Sequence, residues 1–318
     1  MIKEKISLLF NDYSWICAYK KSRLPFNQFN GKQKDFQIVK CPKGYWAADP
    51  FLFEKNGIVY LFVEYTDTKK KKSALAVKKI LPVEDYDFTI IYEFPYHTSY
   101  PCIFEWNGEI YIIPETKSAR EIVLLKCLEW PLKWKQTAIL KTNIDAADCT
   151  PFIYENRLCL MIYEQNKSIK LSVADLYPEE GKIENIKFLK QYNQKIARPG
   201  GKLFYYDNNL IMVRQPGVKF YGEKIQFVKI DLEKFDNEEI INEILPNQIE
   251  IPVDGKLIGV HTYNKVGNVE VIDLFVKKFS IIKPFFIILH KLRIMGYDEF
   301  ERDRKMRWKK ETPIQKKG

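Results

Sequence analysis

Nowhere does this 318-residue sequence hold an apolar run approaching the roughly 18 residues that a membrane-spanning helix requires. Its opening, MIKEKISLLFNDY, has an apolar run too short for a signal-peptide core, so the expected location is the cytoplasm. The six cysteines (Cys17, Cys41, Cys102, Cys127, Cys149 and Cys159) form no C-x-x-C pair and have no His at ligand spacing. They read as reduced thiols packed like small hydrophobes, with neither a disulfide framework nor a zinc site expected. A Gly-rich phosphate loop, H-E-x-x-H and G-x-S-x-G are all missing, which removes the motifs of nucleotide hydrolases, zinc proteases and serine hydrolases. No metal and no cofactor is called for.

What is present is a folding composition, 46% apolar and 14% aromatic, enough for one large core or two small ones. The formal charge is +10, and it is concentrated: residues 277–318 hold 13 Lys and Arg against 5 Asp and Glu. No nucleic-acid motif accompanies that charge, and nucleic acid is not an expected partner. The run Thr68-Lys69-Lys70-Lys71-Lys72 reads as a solvated hairpin tip, with an electrostatic contact as its functional alternative.

The body repeats. WAADPFLFEKNGIVYLF from Trp46 returns as TSYPCIFEWNGEIYIIPETKS from Thr98, AADCTPFIYENRLCLMIYEQNKS from Ala146 and IARPGGKLFYYDNNLIMVRQPG from Ile196. Each copy has a proline at a strand mouth, an apolar strand, a polar turn and a second apolar strand; Pro50, Pro101, Pro151 and Pro199 lie 51, 50 and 48 residues apart. A weaker fifth copy starts at Gly259, and strand-like segments such as SALAVKKIL and KIQFVKIDL fill the intervals. Four strands per unit of about 50 residues is the mark of a propeller blade. The expected fold is all-β, a five-bladed β-propeller over 1–278 closed by an early strand, WICAYKK or FQIVKC, with a basic C-terminal amphipathic helix over 279–318. A β-sandwich with coincidental spacing is the alternative.

In a propeller the first strand of each blade lines the central channel, so strand-mouth residues meet around one axis. Asp49, Tyr100, Asp148, Arg198 and His261 occupy or adjoin that position. Singly, Asp49 and Asp148 would serve to satisfy strand-end N–H groups, and His261 to pack. Together they predict a pocket, because converging buried polar groups cost free energy unless they pair or bind something. Glu115 adds a third acid. Arg198 and Arg214 suit a phosphate or carboxylate, with Arg120 and Lys202 as helpers, or else neutralise the acids. Tyr100, Tyr221 and Tyr263 are candidates for stacking on a sugar face, with Asn264 beside them, or for packing.

Two resemblances bear on the chemistry. The Ala-Asp-Pro of the first repeat and the Asp148 region of the third resemble the five-bladed glycosidases of family 43. That resemblance implies a base on blade one, a second Asp on blade three and an acid Glu on blade four, where this sequence has Arg198 instead. More of the chain, from about Trp46 to Asp273, is similar to the N-terminal domain of plant glucosamine inositolphosphorylceramide transferases and bacterial relatives through SYP, IPET, RPGG, YGEKI and HTYN. It implies a sugar and glycolipid context, with a separate glycosyltransferase domain following in the plant proteins.

The expectation is a carbohydrate-active protein of cell-surface polysaccharide or glycolipid assembly, transferring an anionic or nucleotide-linked sugar. Asp49 or Asp148 would be the base, with Glu115 and His261 as proton-transfer candidates. A non-catalytic glycan-binding module serving a partner glycosyltransferase, and a glycoside hydrolase, are the alternatives. From Pro284 the sequence PFFIILHKLRIMGYDEFERDRKMRWKK places Phe285, Ile288, Leu289, Leu292 and Met295 at helical spacing. Such a helix would lie on an anionic membrane at its inner face or pack on the propeller.

Overall fold

The computed structural model describes residues 10–22, 31–166, 168–281 and 283–284. The expected C-terminal helix lies outside the described residues. Two early strands, β1 (Asn11–Lys21) and β2 (Gln37–Ile38), belong to the last blade. Blade one is β3 (Tyr45–Lys55), β4 (Ile58–Asp67), β5 (Lys72–Leu81) and β6 (Thr89–Tyr92); blade two is β7 (Ser99–Trp106), β8 (Glu109–Glu115), β9 (Glu121–Glu129) and β10 (Lys133–Thr142). Blade three is β11 (Ala146–Tyr154), β12 (Arg157–Gln165), β13 (Ile169–Tyr177) and β14 (Lys182–Tyr192); blade four is β15 (Phe204–Tyr206), β16 (Asn209–Arg214), β17 (Ile225–Ile230) and β18 (Glu239–Ile244). Blade five takes β19 (Lys256–Val266) and β20 (Val269–Phe279) from the end of the chain, then β1 and β2. The fold is a five-bladed β-propeller.

Both early segments close the ring. WICAYKK lies in β1, paired residue for residue with β20 from Asn11 opposite Phe279 to Lys21 opposite Val269, and FQIVKC supplies β2. Deleting residues 1–21 should therefore abolish cooperative unfolding by circular dichroism, because β20 would be left as an unpaired apolar edge.

Burial explains the strand sequences. Middle strands such as VYLFVEY and ALAV are apolar almost throughout because neighbouring blades cover both of their faces. The outermost strand of blade three, KIENIKFLKQY, has water on one side and is largely exposed. Five apolar clusters form the core, one at each blade–blade interface. At one end of the propeller, two-residue turns join the first two strands of four blades with both residues left-handed; Asn56-Gly57 (φ 54° and 72°) and Asn107-Gly108 (φ 51° and 78°) are the Asn-Gly form that such hairpins favour.

At the other end, where the inner strands begin, the ladder breaks in the same way in four blades. Register shifts fall between Ala48 and Phe51, Ser99 and Cys102, Ala147 and Thr150, and Val260 and Tyr263. Asp49, Tyr100 and Asp148 there adopt φ of 50°, 48° and 51°. Left-handed backbone costs a non-glycine residue about 1–2 kcal/mol. A bulge repeated at equivalent positions re-aims those side chains toward the axis. The equivalence runs through Asp49, Tyr100, Asp148 and His261 rather than through the prolines, since Pro151 lies three residues past its bulge residue whereas Pro50 and Pro101 follow theirs directly.

Candidate functional site

The inward-turned residues form two linked clusters. In the first, His261 lies between two carboxylates: its Nε2 is 3.2 Å from Asp49 Oδ1 and its Nδ1 is 2.7 Å from Asp273 Oδ2. Asp273 is fully buried and is held by the backbone N–H groups of Asp49 (2.9 Å), His261 (3.2 Å) and Thr262 (2.9 Å). Asp49 accepts from the Thr262 hydroxyl at 2.8 Å and from the Tyr100 N–H at 3.2 Å. Trp15, from the closing strand β1, stacks on the imidazole at 4.0 Å between ring centres. Burial alone would lower the His261 pKa; Asp273 and then Asp49 outweigh it and raise it. Burial raises the Asp49 carboxyl above its usual range, an effect that His261 offsets in part.

The second cluster is centred on Arg198. Its Nε donates to Asp148 Oδ2 at 2.5 Å, and its Nη2 donates to Asp148 Oδ1 at 3.1 Å and Glu115 Oε2 at 2.8 Å. The third nitrogen, Nη1, has no protein partner among the described residues. Gln215 donates through Nε2 to Asp148 Oδ2 (2.8 Å) and to the Pro199 carbonyl (2.9 Å), while its buried Oε1 has no hydrogen-bond partner among the described residues. Burial raises Asp148 against the pull of Arg198. Burial likewise pushes Glu115 up to about 7, opposed by Arg198 and reinforced by Asp148. Tyr221 joins the clusters: its ring meets His261 edge-on at 5.0 Å and lies 5.3 Å from the Arg198 guanidinium.

The RPGG segment is what brings Arg198 here. Blade four has no regular inner strand at this height; Arg198 O accepts the Gln215 N–H at 2.8 Å, and Gly200 and Gly201 press directly on β19. A Cβ on Gly201, whose φ is 154°, would sit 1.9 Å from the Tyr263 carbonyl oxygen, and one on Gly200 would sit 2.7 Å from that of His261. Only glycine lets the loop pass.

Of the residues expected at the site, Asp49, Glu115, Asp148, Arg198, Tyr221 and His261 come together. The others are placed elsewhere. Arg214 is engaged within blade four by Gln226 (2.9 Å) and Glu238 (3.3 Å), away from the Arg198 group. Tyr263 is buried against Phe227 in the interface of blades four and five. Asn264 ties the Pro50 carbonyl to the Lys202 N–H, and the Tyr100 hydroxyl meets Thr150 and the Gly201 backbone, so these two brace the channel wall. Arg120 is half exposed on Asp145, and Lys202 reaches the Leu52 carbonyl, deeper in the channel.

Asp273, Trp15, Gln215 and Thr262 escaped the sequence reading. The signal for Asp273 was there: an acid inside the apolar run VIDLFV, the feature that singles out Asp49. Asp49, His261 and Asp273 are also the one group among the described residues that could offer three metal ligands, with donor atoms within 4.8 Å of one another. Their atoms also lie close to one another and to backbone N–H groups, an arrangement that orients the imidazole and favours its protonated form.

The family described as glucosamine inositolphosphorylceramide transferase 1, N-terminal, matches residues 37–257. The chain belongs to that family. Among curated proteins it is similar to glucosamine inositolphosphorylceramide transferase 1 of Arabidopsis thaliana, 29% identical over 195 residues, which cover 58% of this chain and 25% of the relative. The protein of the same name from Oryza sativa subsp. indica is 27% identical over 194 residues, covering 58% and 26%. The chain thus matches about a quarter of the length of these relatives. Among solved structures it is similar to the RS223 beta-xylosidase (TM-score 0.53, 11% identity, 74% of this chain and 92% of that one). It is also similar to an alpha-L-arabinofuranosidase from Podospora anserina (TM-score 0.52, 10% identity, 81% and 97%). At these identities the likeness is one of fold, and it agrees with the blade order above.

Proposed function

We propose that the pocket handles an anionic or nucleotide-linked sugar in the assembly of a cell-surface glycolipid or polysaccharide, and that it does so by glycosyl transfer. The observation that carries this is the pairing of the buried Asp273–His261–Asp49 group with a guanidinium whose Nη1 has no partner among the described residues, beside two further acids. The family's name brings glucosamine and a phosphoryl-bearing lipid into consideration, and Arg198 Nη1 is a fitting donor to a phosphoryl oxygen. The partnerless Gln215 Oε1 fits a sugar hydroxyl, since a buried acceptor left unmade costs about 1–3 kcal/mol.

In this reading Asp49 takes the proton of an attacking hydroxyl and becomes a neutral carboxyl, while His261, fixed by Asp273, holds the Asp49 side chain in place. Trp15 and Tyr221 bound the sugar on its faces. A phosphate leaving group needs no proton donor, only the charge of Arg198. A sugar leaving group does need one. Glu115 then serves, because a carboxyl titrating near 7 is protonated in about half the molecules at neutral pH.

A second reading, a non-catalytic glycan-binding module, is favoured by Arg198 standing where the family-43 glycosidase arrangement has its acid. Asp49→Asn and Asp148→Asn separate the two. If the acids act in the transition state, each change should lower turnover of a nucleotide-sugar or lipid-linked sugar by several orders of magnitude and leave ligand affinity within about tenfold. Loss of affinity, with no turnover by the unaltered protein across a panel of such donors, would establish the module instead.

A further inference from the structure

The two ends of the propeller differ in charge. At the end where the inner strands begin and the site lies, the exposed residues include Lys43, the β4–β5 hairpin tip with Lys69, Lys70 and Lys72, and Lys219, against the acids Asp12, Glu93, Glu250 and Asp254. At the far end the loops and the strand ends beside them expose Asp87, Glu105, Glu109, Asp207, Asp231 and Glu233, against Lys133 and Lys234. Apolar side chains stand out at both ends: Val83, Tyr86 and Leu132 at the far one, Tyr45, Phe279 and Ile281 at the pocket one. Charge is what tells the ends apart.

Topology adds a second, independent fact. Because Asn11 pairs with Phe279 and the Ser280 N–H reaches the Phe10 carbonyl at 2.8 Å, the chain enters β1 and leaves β20 side by side at the pocket end. Rings mark the spot, with Phe10 on Phe279 and Tyr13 and Trp15 on Phe275, and Trp15 continues onto His261. From here departs the sequence beyond Pro284, with its apolar PFFIIL and its excess of Lys and Arg.

We infer that the pocket face docks on an anionic lipid bilayer, so that the pocket opens toward the membrane and its substrate is presented from the bilayer surface. A cationic rim flanked by exposed aromatic and aliphatic side chains matches such an interface, where each Lys near the surface adds to binding and the attraction is screened by salt. The acidic far end keeps the orientation single, since a negatively charged membrane repels it. This deepens the reading above and rests on it only for the nature of the substrate; the docking itself stands on other residues.

Single cysteines at Lys70, Ser118, Ile281 and Asp207 would carry an environment-sensitive fluorophore on the full chain. The wild-type protein, taken through the same labelling, is the blank for Cys41 and Cys127, the two thiols that are not fully buried. With vesicles rich in phosphatidylserine, the labels at Lys70 and Ser118, on blades one and two, should shift to the blue, and the label at Asp207 should stay silent. Phosphatidylcholine vesicles should give no shift. The triple change Lys43→Glu, Lys69→Glu and Lys219→Glu, at exposed sites without ion-pair partners among the described residues, should weaken vesicle binding at least tenfold with an unchanged melting temperature.

A shift at Ile281 alone would mean that only the tail touches lipid and would overturn the proposal. So would a response at Asp207, tighter binding to soluble heparin than to vesicles, or no loss in the triple variant. Docking is read without turnover, and turnover is read on soluble donors, so either can fail while the other stands.

Discussion

Arg198→Met should be the most damaging single substitution at the site, lowering unfolding stability by about 3–5 kcal/mol at pH 8, the cost of breaking a buried ion pair from one side. The guanidinium is the partner that Asp148 and Glu115 share, and both carboxyls are buried, at 1% and 9% exposure. Methionine keeps much of the side-chain volume, so the loss would report charge rather than a cavity. The effect should shrink as pH falls, because both acids can take up a proton and so shed the uncompensated charge. Chemical denaturation of the two proteins at pH 5.5 and pH 8 measures it. A loss independent of pH would mean that Arg198 acts by packing.

The architecture was legible because a propeller repeats its instructions. A strand, a turn and a strand recur at nearly even spacing, and no other arrangement of this chain needs that return. Both candidate closing segments were found, and the structure uses them in one blade. The convergence of Asp49, Asp148, Arg198 and His261 followed from strand-mouth position, and Glu115, at the end of a second strand, entered the reading as a third acid beside them.

What was not legible depends on side-chain direction. Tyr263 lies two residues past its bulge residue, but strand alternation turns it into the interface of blades four and five, and Arg214 is taken up by partners within its own blade; a register counted on prolines reveals neither. Trp15 is far in sequence from every other site residue and reaches His261 only because the ring closes through β1. Asp273 sits in the middle of a second strand, away from the strand ends where the reading placed Glu115 and Arg214. Its three backbone N–H partners include Asp49 from blade one, a contact that depends on how two blades meet.

The unliganded protein should be more stable near pH 5.5 than near pH 8, against the usual behaviour of proteins whose carboxylates are held ionised by their partners. Glu115 is raised from 4.5 to about 7, so between those values the folded state holds a proton that the unfolded state has released. Stability then falls as pH rises through that window, by about 3 kcal/mol in all for this one group. Asp49 and Asp148 are raised as well, each chiefly by burial, and their terms have the same sign. His261, raised by Asp273 and Asp49 against the effect of burial, contributes stability that is full below its unfolded value of 6.5 and is lost as pH climbs through its folded one. Four groups of one sign cannot cancel among themselves. Glu115→Gln removes one of the four and should flatten the decline; at pH 8 it should match or exceed the parent in stability, because the amide still accepts from Arg198 without the cost of a buried charge. Melting temperatures of both proteins across this range test the assignment. If the two curves run parallel, Glu115 stays ionised throughout, and its role as a proton donor fails with the pH dependence.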